Sequence, residues 1–223
     1  MSYNATYKST KDVFGKEPEF ILKQFYGQID KSFPVLDIGT GQGRNAFFLA
    51  RQGLMVHALD PSSVAIETIA DKTQEENLSI TAFISTFSDF EPPIPVYSGI
   101  LLFGLIQILS WQEIDQLKKK LGIWSAPESL IFVTGFSIED ASYTECERNW
   151  QPLGHYSFQD GSGNIQTFLE PGEILKLFNG YDVLYYWEGM GPEHRHGSGL
   201  VERHGVVEFV GRRGENTVTG IIE

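Results

Sequence analysis

Gly39, Gly41 and Gly43 crowd the stretch "VLDIGTGQGRNAFFLA", which runs from Val35 to Ala50. Each would weaken a helix or a strand, because glycine loses more backbone freedom on folding than any other residue. The bend gains two things in return: positive φ angles, and the absence of Cβ atoms where main chain must approach a ligand. Before it lies "PVLDI", a short apolar run ending in an acid. After it, "RNAFFLARQG" sets Phe47, Phe48, Leu49 and Ala50 at helical spacing before Gly53 stops the run. The reading is strand, glycine turn, helix.

The same alternation continues along the chain. "LMVHALD" reads as a second strand, and "PSSVAIETIADKTQEEN" as a helix entered through Pro61 with Val64, Ala65, Ile66 and Ile69 on one face. "SITAFIS" makes a third strand, "GILLF" a fourth running into a loop, and "SLIFVTGF" a fifth. Between the last two, "WQEIDQLKKKLGIW" carries Ile114, Leu117 and Leu121 on a helical stripe, which leaves Lys118 to Lys120 as a solvated face. Repeated strand-helix-strand units favour right-handed crossovers, so the expected fold is α/β: a doubly wound, mostly parallel seven-stranded sheet with helices on both faces. One domain is expected, divided into an N-terminal helical cover (1–33), a cofactor-binding core (34–136), an irregular lid or substrate segment (137–170), and a C-terminal helix with two strands (171–223). The 137–170 segment is polar, aromatic and without steady period, an unusual length for a connection. "GYDVLYYWE" and "GVVEFVGRR" supply the last two strands.

Composition narrows the partners. Seventeen Lys and Arg against 29 Asp and Glu give a formal net charge of -12, which argues against a broad nucleic-acid footprint or an anionic membrane surface. A small-molecule partner is expected instead, with the chain a monomer or a homodimer. The one cysteine, Cys146, cannot close an internal disulfide, and "MSYNATYKSTKD" lacks a signal-peptide core. The expected compartment is the cytoplasm.

In a sheet of this kind the ligand sits beyond the carboxyl ends of the strands, at the first strand-helix turn. Asp60, ending the second strand, offers an acceptor-only carboxylate to a ribose diol. Spacing separates the two nucleotide readings. A dinucleotide fingerprint would place a third glycine at position 44, where Arg44 stands. Asp37, two residues ahead of the first glycine, suits a ligand with an amine and a sulfonium better than one with a pyrophosphate. A nicotinamide-dependent oxidoreductase and a non-catalytic S-adenosylmethionine-binding module stand as alternatives.

"VLDIGTGQGRNAFFLA" followed by "VHALD" resembles the first two motifs of class I S-adenosylmethionine-dependent methyltransferases. "GQGRNAFFLARQG", "FGKEPEFIL", "FLEPGEILKLFNGYDVLYYWE", "GPEHRHGSG" and "VEFVGRR" resemble the tellurite-resistance TehB-like branch. The resemblance implies a Rossmann-like sheet whose last strand is antiparallel, and S-adenosylmethionine as cofactor. It places Asp37, Gly39, Thr40 and Gly41 at the methionine end, with Gly43 easing the turn, Asp60 on the ribose, Pro61 near the adenine, and Phe103 and Gly104 beside the sulfonium. The acid expected to meet the adenine amine aligns with Thr86. Adenine recognition then falls to Thr86, the Phe87 backbone and apolar packing, with Asp89 the nearest carboxylate. The acceptor implied is a small molecule, with a soft nucleophile such as a thiol or a tellurite or selenite oxyanion as the candidate class.

The catalytic candidates are basic. "GPEHRHGSGLVERHG" gathers His194, Arg195, His196, Arg203 and His204 in an acidic chain. Arg195 offers a fork of donors to an oxyanion, and His155, His194 or His196 could take a proton from an oxygen or amine acceptor. His-x-His with His204 also has the makings of a metal site, yet methyl transfer needs no metal and none is expected. Tyr143, Trp150, Tyr156 and Phe158 are candidate walls for the acceptor, and Cys146 reads as inert.

Overall fold

The computed structural model describes residues 3–193 and 203–214. Its centre is a seven-stranded sheet of β1 (Val35–Ile38), β2 (Val56–Asp60), β3 (Ile80–Ile84), β4 (Tyr97–Phe103), β5 (Ser125–Phe136), β9 (Tyr181–Met190) and β10 (Gly205–Arg213), in the order β3-β2-β1-β4-β5-β10-β9. β1 to β5 pair in parallel, and β10 runs antiparallel to both its neighbours. The strand order reverses between β1 and β4. That reversal opens a crevice above the strand ends, because the connections leave it toward opposite faces.

Alternate strand residues bury opposite faces, as period-2 side-chain direction requires. Leu36, Ile38, Leu59, Ile100, Leu102, Ile131, Val133, Val207 and Phe209 pack beneath α5 (Trp111–Trp124) and α7 (Glu173–Leu177). Val35, Val56, Ala58, Leu101, Phe132 and Val210 pack beneath α2 (Phe20–Phe25), α3 (Arg44–Arg51) and α4 (Ser63–Glu76). Each fully buried aliphatic such as Leu22 or Leu49 contributes roughly 1.5–3 kcal/mol of transfer free energy. The helix starts follow local chemistry. Ser62 caps α4 by accepting from the Ala65 N–H, and Ser110 and Glu113 form a reciprocal capping box on α5.

The segment from 137 to 170 is not irregular, contrary to expectation. It folds as α6 (Ala141–Asn149) and a small antiparallel sheet of β6 (Gln151–Gly154), β7 (Ser157–Gln159) and β8 (Ile165–Thr167). The sequence hid this because the strands are three or four residues long, too short for a period to register. Tyr143, Trp150, Tyr156 and Phe158 pack with Cys146 and Phe168 into this unit's own core. They do not line the central cavity. Burial pushes the Cys146 thiol up to about 11, which suits an inert cysteine. At the other end, α1 (Asn4–Ser9) lies against α4, and Tyr3, Tyr7 and Phe14 reach the cavity from that side.

Candidate functional site

The glycine bend holds three left-handed positions at alternate residues: φ is 73° at Gly39, 55° at Gly41 and 85° at Gly43. The three differ in what a side chain would meet. A Cβ at Gly43 would lie 2.9 Å from Ile69 Cγ1 and 3.0 Å from Phe47 Cε2, so this glycine serves the packing of α3 on α4. A Cβ at Gly41 would lie 3.1 Å from the Tyr7 hydroxyl, within the cavity wall. Gly39 and Thr40 both donate their N–H to the Leu59 carbonyl, at 2.8 and 3.0 Å, which ties the turn to the end of β2.

Two buried acids face this corner. Asp37 ends in a carboxylate that accepts from the Thr40 hydroxyl at 2.7 Å. Burial pushes its pKa up to about 7, against the pull of the Thr40 hydroxyl and the Arg44 guanidinium, with Asp60 adding to the rise. Asp60 accepts from the Gly41 N–H at 2.9 Å and the Ser62 N–H at 2.8 Å. Burial raises its pKa too, with those two N–H groups opposing. One backbone bond to each oxygen leaves lone pairs on both, enough for a diol. No basic side chain pairs with either acid among the described residues. Arg44 acts on Asp37 only at a distance, being paired with Glu19, and a buried acid pair with no cation in direct contact is a cost to the fold that a cationic ligand would relieve.

The remaining sequence-derived residues gather round the same space, a cavity of about 1590 Å³. Gly39, Thr40, Gly41, Asp60, Pro61, Thr86, Phe87, Phe103 and Gly104 line it. Asp37 and Gly43 stand behind the lining. Gly104, at φ 64°, donates its N–H to the Thr134 hydroxyl at 2.9 Å, which pins the loop after β4. Past β3, Thr86 donates its hydroxyl to the Asp89 carboxylate at 2.8 Å, and the Asp89 N–H returns to the Thr86 oxygen at 3.2 Å. Asp89, the nearest carboxylate in sequence, is thereby held at the cavity beside Thr86 and Phe87.

The basic candidates separate. His194, Arg195 and His196 lie outside the described residues, as does any metal site built on the first and last of them. His155 is displaced from the cavity: its Nε2 sits 3.1 Å from Glu173 and 3.3 Å from Glu170, on the surface of the small sheet. These three side chains bring their ligand atoms within 4.8 Å of one another. Among the described residues the imidazole in the cavity wall is His204, stacked on Phe136 with ring centroids 4.5 Å apart. Its Nδ1 lies 2.7 Å from Asp140, whose carboxylate also accepts from the Gly205 and Ser142 N–H groups. Burial pushes the Asp140 pKa up, but His204 and Ser142 together hold it below the ordinary range.

Sequence reading missed Asp140, Tyr3, Tyr7 and Glu208. Asp140 sits at the N-cap of α6, so its position resembled ordinary capping. Glu208 had a visible signal, an acid in the middle of the apolar strand "VVEFV".

Comparison with known proteins agrees with this geometry. Residues 35–127 match a family model described as a methyltransferase domain. A Ubiquinone biosynthesis O-methyltransferase from Rickettsia akari is 23% identical over 74% of this chain, which spans 65% of that protein's length. Among solved structures, a SAM-dependent methyltransferase from Methanosarcina mazei superposes with a TM-score of 0.70 at 15% identity, covering 89% of this chain and 99% of that one. TehB from Haemophilus influenzae gives 0.65 at 17% identity, covering 86% and 61%. The glycine corner and the acid of β2 fall inside the matched stretch, and the strand order is that of the class I fold. Residues 35–127 match a methyltransferase domain, and the sheet around them has the class I methyltransferase fold.

Proposed function

We propose that this enzyme transfers a methyl group from S-adenosylmethionine to a small-molecule acceptor, and that the glycine corner with Asp37 and Asp60 holds the donor. The observation that carries the reading is the pair of buried acids around Gly41, one near the carboxyl end of β1 and one at that of β2, with no basic side chain paired to either among the described residues. Bound there, S-adenosylmethionine supplies an electrophilic methyl on a positively charged sulfur. The chain's own residues supply position. Gly39 and Gly41 let the main chain approach the methionine end, Asp37 offers its carboxylate to the ammonium, and Asp60 takes the ribose hydroxyls. Pro61, Thr86, Phe87 and Asp89 border the adenine, with Phe103 and Gly104 at the reacting end. Tyr3, Tyr7 and Phe14 cover the cavity from the N-terminal side and exclude water, which strengthens each of these electrostatic contacts.

Holding two reactants in line supplies much of the rate, on the order of 10⁵ M or more in effective molarity. A soft acceptor such as a thiolate then attacks without a strong base. We favour the thiol over a tellurite or selenite oxyanion, because a thiol enters the site mostly uncharged near neutral pH, whereas an oxyanion meets the Glu208 carboxylate in the β10 wall. The 137–170 unit is assigned to the acceptor side through Gln166, which lines the cavity from β8. Calorimetry with S-adenosylhomocysteine tests the donor site, with Asp60→Ala as control. Transfer of radiolabel from methyl-labelled donor to a mixed panel of thiols, oxyanions and amines tests the reaction. Protection by NAD(H) with none by S-adenosylhomocysteine would replace this reading with an oxidoreductase.

A further inference from the structure

We infer that Glu208, with Tyr185, anchors a protonated amine on the methyl acceptor, so that the acceptor is a small organic cation with an apolar body. This rests on the methyl-transfer reading above and deepens it.

Register places the anchor. Glu208 on β10 stands directly opposite Thr134 of β5 and Trp187 of β9, and Thr134 in turn pairs with Phe103 of β4. The four residues form a row across the sheet on the face that carries α2 and α3, since Val207 and Phe209 bury the other face. All four line the cavity. Strands lie about 4.8 Å apart, so Glu208 sits two strands, about 10 Å, from the backbone of Phe103 at the reacting end. That gap matches the body of a small organic acceptor.

The charge at this point lacks its partner. Tyr185 donates its hydroxyl to Glu208 at 3.1 Å, and no described basic side chain pairs with it. The neighbouring acid, Glu19, is engaged by Arg44. Burial raises the pKa of Glu208 and Glu19 raises it further, against the Tyr185 hydroxyl; an ammonium at this place would reverse that strain. Trp187, opposite Glu208, is 38% exposed, and the same cavity carries the ring of Phe20 at 65% exposure. Aromatic faces beside a carboxylate recognise an organic cation and repel an anion. While paired with Glu208 the ammonium has no lone pair to give, so the methyl goes to another atom of the same acceptor.

Calorimetry on protein saturated with S-adenosylhomocysteine tests this with three probes of one shape class: 2-phenylethylamine, 2-phenylethanol and phenylacetate. The amine binds about tenfold or more tightly than the alcohol, the range a charge-assisted hydrogen bond gives, and the anion binds weakest. Glu208→Gln erases the preference, and Tyr185→Phe reduces it while leaving Glu208 in place. S-adenosylhomocysteine affinity stays level in both. Equal binding of amine and alcohol, preference for phenylacetate, binding of none of the three at millimolar concentration, or full preference retained in Glu208→Gln overturns the inference. If S-adenosylhomocysteine itself fails to bind, the methyl-transfer reading falls separately, and the amine preference is read on the unliganded protein.

Discussion

Binding of the donor should be linked to a proton through Asp37. Its carboxyl is fully buried and pushed up to about 7 by burial, against about 3.9 in an unfolded chain. The folded, unliganded protein therefore holds a proton in that window which the unfolded chain has already lost. Its stability contribution from this group falls as pH climbs from about 4 to about 7, by roughly 4 kcal/mol at most, and is level above. An ammonium placed against Asp37 reverses the balance, because it favours the ionised form. At pH 6 about nine in ten molecules carry the proton and release it on binding; at pH 8 about one in ten does. The Kd for S-adenosylhomocysteine should then be about tenfold weaker at pH 6 than at pH 8. Calorimetry in two buffers of different ionisation enthalpy measures the proton directly: close to one released at pH 6, and close to none at pH 8. Asp37→Asn should flatten the profile and weaken binding at high pH. A level Kd across this range with no proton exchange at pH 6 would refute the pairing of Asp37 with the cationic end.

Other expectations follow from the same geometry. Gly43→Ala adds left-handed strain of about 1–2 kcal/mol to a Cβ contact at 2.9 Å from Ile69, and a thermal melt should fall by about 10 °C. Asp60→Ala strands the N–H groups of Gly41 and Ser62. It should cost about 1–3 kcal/mol in denaturant unfolding and abolish detectable heat with S-adenosylhomocysteine; unchanged heat would remove Asp60 from the donor site. His155→Gln should leave S-adenosylhomocysteine affinity within about twofold, since its ring lies outside the cavity. Ser110→Ala should lose about 1 kcal/mol through the capping box on α5, with donor binding unaffected.

Much of the fold was legible because its signals are local. Strand runs such as "GILLF", the apolar stripe of "WQEIDQLKKKLGIW" and the glycine bend each declare themselves over a few residues, and alternation of the two element types implies a parallel, doubly wound sheet. The failures share a cause as well. β6 to β8 are held by pairing with each other and by a private aromatic core, and neither leaves a period in the chain. His155 looked like a proton acceptor because imidazole titrates near neutrality, yet chemical type carries no direction, and the turn before β7 aims it at Glu170 and Glu173.

By itself the sequence determined the corner: which residues lack a Cβ, and which strand ends carry an acid, because steric permission and charge belong to residues one at a time. Only the tertiary structure decided what stands around that corner. Glu208 lies far from Phe103 along the chain and two strands away in space, and Asp140 meets His204 across 64 positions. Those neighbours are fixed by strand order and register, which arise from burying both faces of the sheet at once and so cannot be read from any single stretch.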